Sequence, residues 1–323
     1  MQSQIEQQGK RAAPRFRLTL ATREILWAYG FLLLPLAFFL FLRIWPAVQS
    51  LRLSLFTWHL DPAQREFVGL DYYRAMLQDA RLQRALQNTL LYTLIIVPSQ
   101  LVLGMVIALL LQSIRRFRSL FRAIYFAPYI TPAAAIAWVW GWMYSMNFGV
   151  INNLLIDWSI FWEKLGLPWL AIDPQPFLTD PGQALYAVAV VVVWQNLGFQ
   201  VVIFLAGLQG IPRMFYEAAR IDGANRWNLF RHITLPLMNS VMVFSVVIST
   251  IASLQLFDQV VNLNFTDQGG PLNSTLTIAL YMYQEAFARF RLGYAAAVTV
   301  LLFALIMVVT LLQLRFFSRR VEY

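Results

Sequence analysis

No cysteine occurs anywhere in the sequence, which excludes disulfides and thiol chemistry. Lysine is almost as scarce: it stands only at Lys10 and Lys164, and neither is followed by Ser or Thr. A phosphate-binding loop of the form G-x-x-x-x-G-K followed by Ser or Thr is therefore missing, and with it that route to ATP hydrolysis. Charge is thin as well. Charged residues make up 13% and apolar ones 59%, against about 25% and roughly 45–50% in soluble domains. That balance places the chain in a membrane.

What is abundant is long apolar sequence. Six uncharged or nearly uncharged stretches, 25–42, 85–114, 123–144, 183–208, 233–257 and 292–314, can each cross a bilayer as a helix. The first is the shortest; its 18 residues reach roughly 27 Å, slightly under a hydrocarbon core of about 30 Å. Trp27 and Trp45 are placed to anchor its ends. It exceeds the 7–15-residue core of a signal peptide, so it is expected to remain as a helix.

With the N-terminus inside, 16 of the 25 basic residues but only 5 of the 16 acids fall on the inner side. The positive-inside rule then puts both termini in the cytoplasm, and the arginines need no nucleic-acid partner to explain them. His59 and His232 fall on opposite sides, so they cannot share a metal site or a catalytic triad. Residues 1–24 read as a basic cytoplasmic tail, in which 16–20 could lie on the membrane, and 25–323 as one transmembrane domain. Three outer segments separate the spans. The second, 145–182, has several prolines that predict short or irregular structure.

Between the fourth and fifth spans lies the polar stretch EAARIDGANRWNLFRHITLP, residues 217–236. Glu217, Ala218, Ala219 and Ile221 suit one short helix whose small residues permit close approach. Gly223 tolerates a turn that a side chain would resist, and a second short helix after Asn225 would present Trp227, Leu229 and Phe230. Pro236 suits the first turn of the next spanning helix. Asp222 could cap the first helix or pair with Arg226.

The spacing EAA, three residues, Gly, nine residues, I-x-L-P at 217–236 resembles the signature of the membrane subunits of binding-protein-dependent ATP-binding-cassette importers. Leu208-Gln209-Gly210-Ile211-Pro212 and Ile221-Asp222-Gly223-Ala224 are similar to forms in the carbohydrate branch of that family. The outer stretches at 67–73 and 269–275, and Gly293-Tyr294-Ala295-Ala296-Ala297, also fit it.

The resemblance implies an all-α polytopic protein of the type I importer permease fold, with six transmembrane helices and a cytoplasmic coupling helix within 209–236. Glu217, Ala218, Ala219, Asp222, Gly223 and Pro236 would couple it to the ATPase, with Glu217 facing a basic residue of that partner and Gly223 making the bend. It implies a second homologous permease, two cytosolic ATPases that hold ATP and Mg, and an extracytoplasmic solute-binding protein. This chain would bind no cofactor or metal itself. The setting implied is the cytoplasmic membrane of a prokaryote.

Polar groups inside apolar spans are costly and usually face a cavity or one another. Asn88, Tyr92 and Gln100 stand on the second span, Trp194, Gln195, Asn196 and Gln200 on the fourth, and Ser245, Ser249, Thr250, Ser253, Gln255 and Asp258 on the fifth. Trp194 to Phe199 resembles the W-x-x-x-G-F/Y stretch of sugar permeases, where Leu197 and Gly198 match positions that touch sugar. Gln255 and Asp258 lie near positions that hold sugar-binding amides in those subunits. Planar amides and carboxylates pair with vicinal hydroxyls, which suits Asn196, Gln255 and Asp258; together with Leu197 and Gly198, which the resemblance implies, they are the candidate substrate pathway. Hydrogen bonding between helices is the competing role for each. The functional expectation is a sugar-importing permease subunit working by alternating access. The alternatives are an importer of the same type for another solute such as glycerol phosphate, an ion-coupled secondary transporter, or a membrane scaffold.

Overall fold

The computed structural model describes residues 20–59, 61, 64–114, 116–263 and 268–317, and apart from one isolated β-bridge between Phe56 and Phe67 the regular elements among them are helical. Most of the tail expected over 1–24 lies outside the described residues. The described residues up to Arg52 form one compact unit and those from Leu53 a second.

In the first unit, α1 (Leu20–Phe39) runs through a π-helical stretch, Leu40–Ile44, into α2 (Trp45–Leu53). The helix therefore does not stop at 42, where the apolar stretch ends. Pro46 explains the wider turn. Its ring would clash with the carbonyl four residues back in a regular helix, and the Trp45 N–H reaches instead to the Leu40 carbonyl five residues back.

In the second unit, α3 (Asp71–Met76) leads into α4 (Ala80–Ser113), whose first turn is capped by Asp79, which accepts from the N–H groups of Arg81 and Leu82. The third span is broken: α5 (Arg118–Ile130) and α6 (Ala133–Met143) meet at 96°. Pro132 excludes Thr131 from the helical region, and Thr131 takes ψ 136°. Next comes α7 (Val150–Lys164), a regular helix of 15 residues where the prolines had suggested short or irregular structure. Those prolines, at 168, 174, 176 and 181, all follow the helix rather than interrupt it.

The fourth span is the straight helix α8 (Ala184–Gly210). After it, α9 (Arg213–Ile221) and α10 (Arg226–Leu229) precede a second π-helical stretch, Phe230–Thr234, then α11 (Leu235–Leu237) and α12 (Asn239–Leu254). The fifth span, expected as one helix from 233, is bent by 66° between Leu237 and Asn239. Pro236 is again found two residues beyond the π-helical stretch, so it opens α11 and not the long spanning helix. The chain continues through α13 (Asp258–Leu263), α14 (Ile278–Tyr283), a third π-helical stretch at Gln284–Ala288, and α15 (Leu292–Phe317). Among the described residues, four helices are long and apolar enough to span a membrane, or up to six when each bent pair counts as one crossing.

α8 packs along α4 and α5, and α12 along α4 and α15. Tyr92, Ile96, Val188, Val191 and Leu254 fill the interior. Buried polar groups tie the helices where no water competes: Gln200 accepts from Ser245 and donates to Ser249, and Gln313 donates to Thr250 at 2.7 Å.

Candidate functional site

A cavity of about 300 Å³ opens between α4, α8, α12 and α13, at the lower end of the range for small-molecule sites. Among its walls are Gln100 from α4, Tyr129 from α5, Asn196 and Gln200 from α8, Ser249 and Ser253 from α12, and Gln255, Asp258 and Gln259 where α12 gives way to α13. The helix end puts Gln255 there: it caps α12 at φ −98°, ψ 15°, and Asp258 opens the next short helix. Both side chains are exposed to the cavity side of the fold, whereas Gln100 is buried. Tyr129 and Phe199 stack at 5.0 Å and supply an apolar face.

Of the five candidate pathway residues, Asn196, Gln255 and Asp258 share this cavity and Leu197 and Gly198 do not line it. Gly198 sits at the crossing of α8 with α5, where a Cβ would lie 2.1 Å from the Tyr125 carbonyl oxygen. Several other polar candidates serve the helix packing. Asn88 donates to the carbonyls of Asn273 and Leu276 at 2.8 and 3.0 Å, and Gln195 accepts from Gln259 at 2.8 Å. The hydroxyls of Ser253 and Tyr92 are buried without a hydrogen-bond partner. Tyr129 and Gln259 were not singled out from sequence.

The polar segment between α8 and α12 forms a helix, a turn and a second helix. Phe215 and Tyr216 of α9 pack against the cluster of Met105, Phe204 and Leu208, and the Tyr216 hydroxyl meets that of Thr234 at 3.0 Å. The opposite face presents Met214, Glu217, Ala218 and Ile221, all exposed and spaced as one helical stripe; Ala219 is half-buried. Asp222 caps α9 and makes no ion pair with Arg226. Gly223 then takes φ +81°, and the Ala224 N–H closes back on the Ala219 carbonyl at 2.9 Å. Asn225 caps α10 by accepting from the Asn228 N–H at 2.9 Å.

Sequence reading missed a charged cluster at the other end of the fold. Glu285 is fully buried and meets Arg289 at 2.6 Å, Arg291 at 3.2 Å and Arg81 at 3.8 Å. Beside it, Asp79 accepts from the hydroxyls of Tyr281 at 2.5 Å and Tyr294 at 2.9 Å. Burial works against the Asp79 carboxylate, but the Tyr281 hydroxyl, the Leu82 N–H, the Tyr294 hydroxyl and the Arg81 N–H outweigh it and hold its pKa below the ordinary 3.8. Burial and the bond to Asp79 push the Tyr281 phenol up. Among the described residues, no three His, Asp or Glu side chains converge to hold a metal ion.

Residues 100–323 match the profile of a family described as the binding-protein-dependent transport system inner membrane component. A probable ABC transporter permease of Pyrococcus horikoshii is 34% identical over 264 residues, covering 82% of this chain and 86% of the relative. The lactose transport system permease protein LacF of Rhizobium radiobacter is 34% identical, covering 86% of this chain and 88% of its own length. The sn-glycerol-3-phosphate transport system permease protein UgpA of Yersinia pestis is 30% identical, covering 92% and 96%. In structure, the fold superposes on a bacterial ABC transporter involved in the import of the acidic polysaccharide alginate. The TM-score is 0.78 at 21% identity, covering 94% of this chain and 98% of that one.

Proposed function

The chain belongs to the family of inner membrane components of binding-protein-dependent transport systems, and from that premise we propose that the polar, sugar-like solute it carries is a sugar. It is a non-enzymatic permease subunit of the carbohydrate and sugar-phosphate uptake branch, in the inner membrane. Such importers combine a permease pair, an ATPase pair and an external solute-binding protein. ATP and Mg are held by the ATPases.

The observation that carries the sugar reading is the gathering of Gln100, Asn196, Gln255 and Asp258 on the wall of one cavity, with the Tyr129 and Phe199 rings beside them. Amides and a carboxylate pair with hydroxyls, and ring faces cover C–H surfaces. The relatives' named cargoes, lactose and sn-glycerol 3-phosphate, are both polyhydroxylated.

Residues 25–323 act in this reading as one permease domain behind a basic tail of 1–24, with 209–236 as its coupling segment. The stripe of Met214, Glu217, Ala218 and Ile221 enters a cleft on the ATPase, Glu217 faces a cation there, and Ala219, Asp222, Gly223 and Pro236 set the shape that holds the stripe. Closure of the ATPases moves this segment and turns the cavity from one side of the membrane to the other.

The test is ATP hydrolysis by the complex reconstituted in lipid with its second permease, ATPases and binding protein, across sugars, polyols and glycerol phosphate. Stimulation by a sugar-loaded binding protein, lost on Glu217→Arg in an assembled complex, is expected. Stimulation by glycerol phosphate alone would move the assignment to a non-sugar solute, and hydrolysis indifferent to Glu217→Arg would remove the coupling role.

A further inference from the structure

The cavity contains one charged side chain. Asp258 lies on its wall, and among the described residues no Arg, Lys or His lines it. Four of the helices that line it carry no basic residue from Ala85 to Gln112 in α4, from Ala184 to Gly210 in α8, from Asn239 to Leu254 in α12 or from Asp258 to Leu263 in α13; α5, which lends Tyr129, bears Arg118 and Arg122 toward its other end. Of the basic side chains in the outer segments, Arg81, Arg289 and Arg291 surround the buried Glu285.

The amides are also partly committed. Gln200 is held by two serines and Gln259 donates to Gln195. Gln100, Gln255 and the unpartnered Ser253 hydroxyl remain to meet a solute, together with the Asp258 carboxylate, whose side chain makes no bond among the described residues. A phosphate, sulfonate or uronate passing this wall would meet a like charge and no counter-charge. In a site partly withdrawn from water that repulsion is poorly screened.

We propose that Asp258 makes the wall contributed by this chain cation-favouring, so that it passes uncharged or amino-bearing sugars and discriminates against solutes bearing an anionic group. This rests on the reading of the cavity as the solute path, and it names the class of sugar that reading left open. Asp258 is thus a specificity-determining residue for charge, while Gln100, Gln255 and Ser253 answer to hydroxyls of any polyol.

Because the external binding protein also selects cargo, the test reads the cavity itself. The chain has no cysteine, so Gln255→Cys places a single reporter thiol in it, and Ala252→Cys on the same wall serves as a second. In the whole reconstituted complex, with the complex lacking the introduced thiol as background, modification rates are measured with a trimethylammonium-ethyl and a sulfonatoethyl methanethiosulfonate. Relative to a free thiol, the cationic reagent should be favoured by about tenfold or more, and Asp258→Asn should remove most of that preference. A preference that is absent, or unchanged by Asp258→Asn at both reporters, would overturn the proposal. Protection of the thiol by sugar-loaded binding protein during ATP turnover tests the underlying path separately. Preserved charge preference without any protection would overturn the solute-path reading and with it the assignment of Asp258 to cargo selection.

Discussion

The turn at Gly223 offers the sharpest handle on coupling. Its φ of +81° lies in the left-handed region, and a Cβ there would meet nothing within 4 Å. The cost of a side chain is therefore backbone strain alone, about 1–2 kcal/mol for an ordinary L-residue. That is a factor of roughly 5–30 in the population of the turn. Asn tolerates this region better than most residues, whereas a β-branched side chain resists it most. Pro is incompatible, since its φ is fixed near about −65°, and it would also delete the N–H that reaches the Arg220 carbonyl at 3.1 Å. Uptake should thus fall in the order Gly223→Asn, Gly223→Ala, Gly223→Val, Gly223→Pro, the last abolishing it, while membrane insertion stays intact in all four. The assay is solute uptake by vesicles, normalised to the amount of inserted chain. Normal uptake by the Pro variant, or a Val variant equal to the Asn variant, would refute the argument that this bend presents the coupling face.

Gly198→Ala should destabilise the assembled protein by about 1–3 kcal/mol, because the new methyl meets backbone atoms of Tyr125; thermal unfolding in detergent checks this. Unchanged melting with altered cargo dependence would instead make Gly198 a solute contact. Gln200→Leu leaves Ser245 and Ser249 without their shared amide and should cost about 1 kcal/mol or more by the same measurement. Asp79 carries a carboxyl whose folded-state pKa is depressed below 3.8. Its contribution to stability is therefore present from neutral pH down to about 4, and is lost as pH falls through the folded-state value. The acid limb of a stability profile should accordingly flatten in Asp79→Asn, and an unaltered limb would refute the role of its tyrosine bonds.

Much of this was legible without coordinates because the signals are local. Apolar runs of about the length of a bilayer core or more marked the crossings, and the spacing around Glu217 and Gly223 located the helix, turn and helix between α8 and α12. The departures share a cause in proline. Pro132 breaks the third crossing; Pro46 is absorbed by a widened turn, and Pro236, which follows another, stands just before the 66° bend in the fifth. The cluster around Glu285 could not be read at all, since Arg81 reaches it across some two hundred positions of sequence and no local pattern announces such a meeting. The cavity was half legible. Gln255 and Asp258 were recognisable as polar residues at a helix end, but whether an amide meets another helix or an open space depends on register, which separates Asn196 from Gln195 one position away.

The bend between Leu237 and Asn239 has a mechanical meaning. Met238, at its apex, is fully buried and packs against Gly207 of α8, so a tilt of α12 would turn about this contact. The short arm is α11 with the π-helical stretch before it; the long arm is the 16 residues of α12, about 24 Å. A tilt of about 5° about that pivot displaces the far end of such an arm by about 2 Å. The far end is where Gln255 stands, while the pivot rests on the helix that bears Asn196 and Gln200. A small tilt of α12 would therefore widen or narrow the gap between two walls of the same cavity.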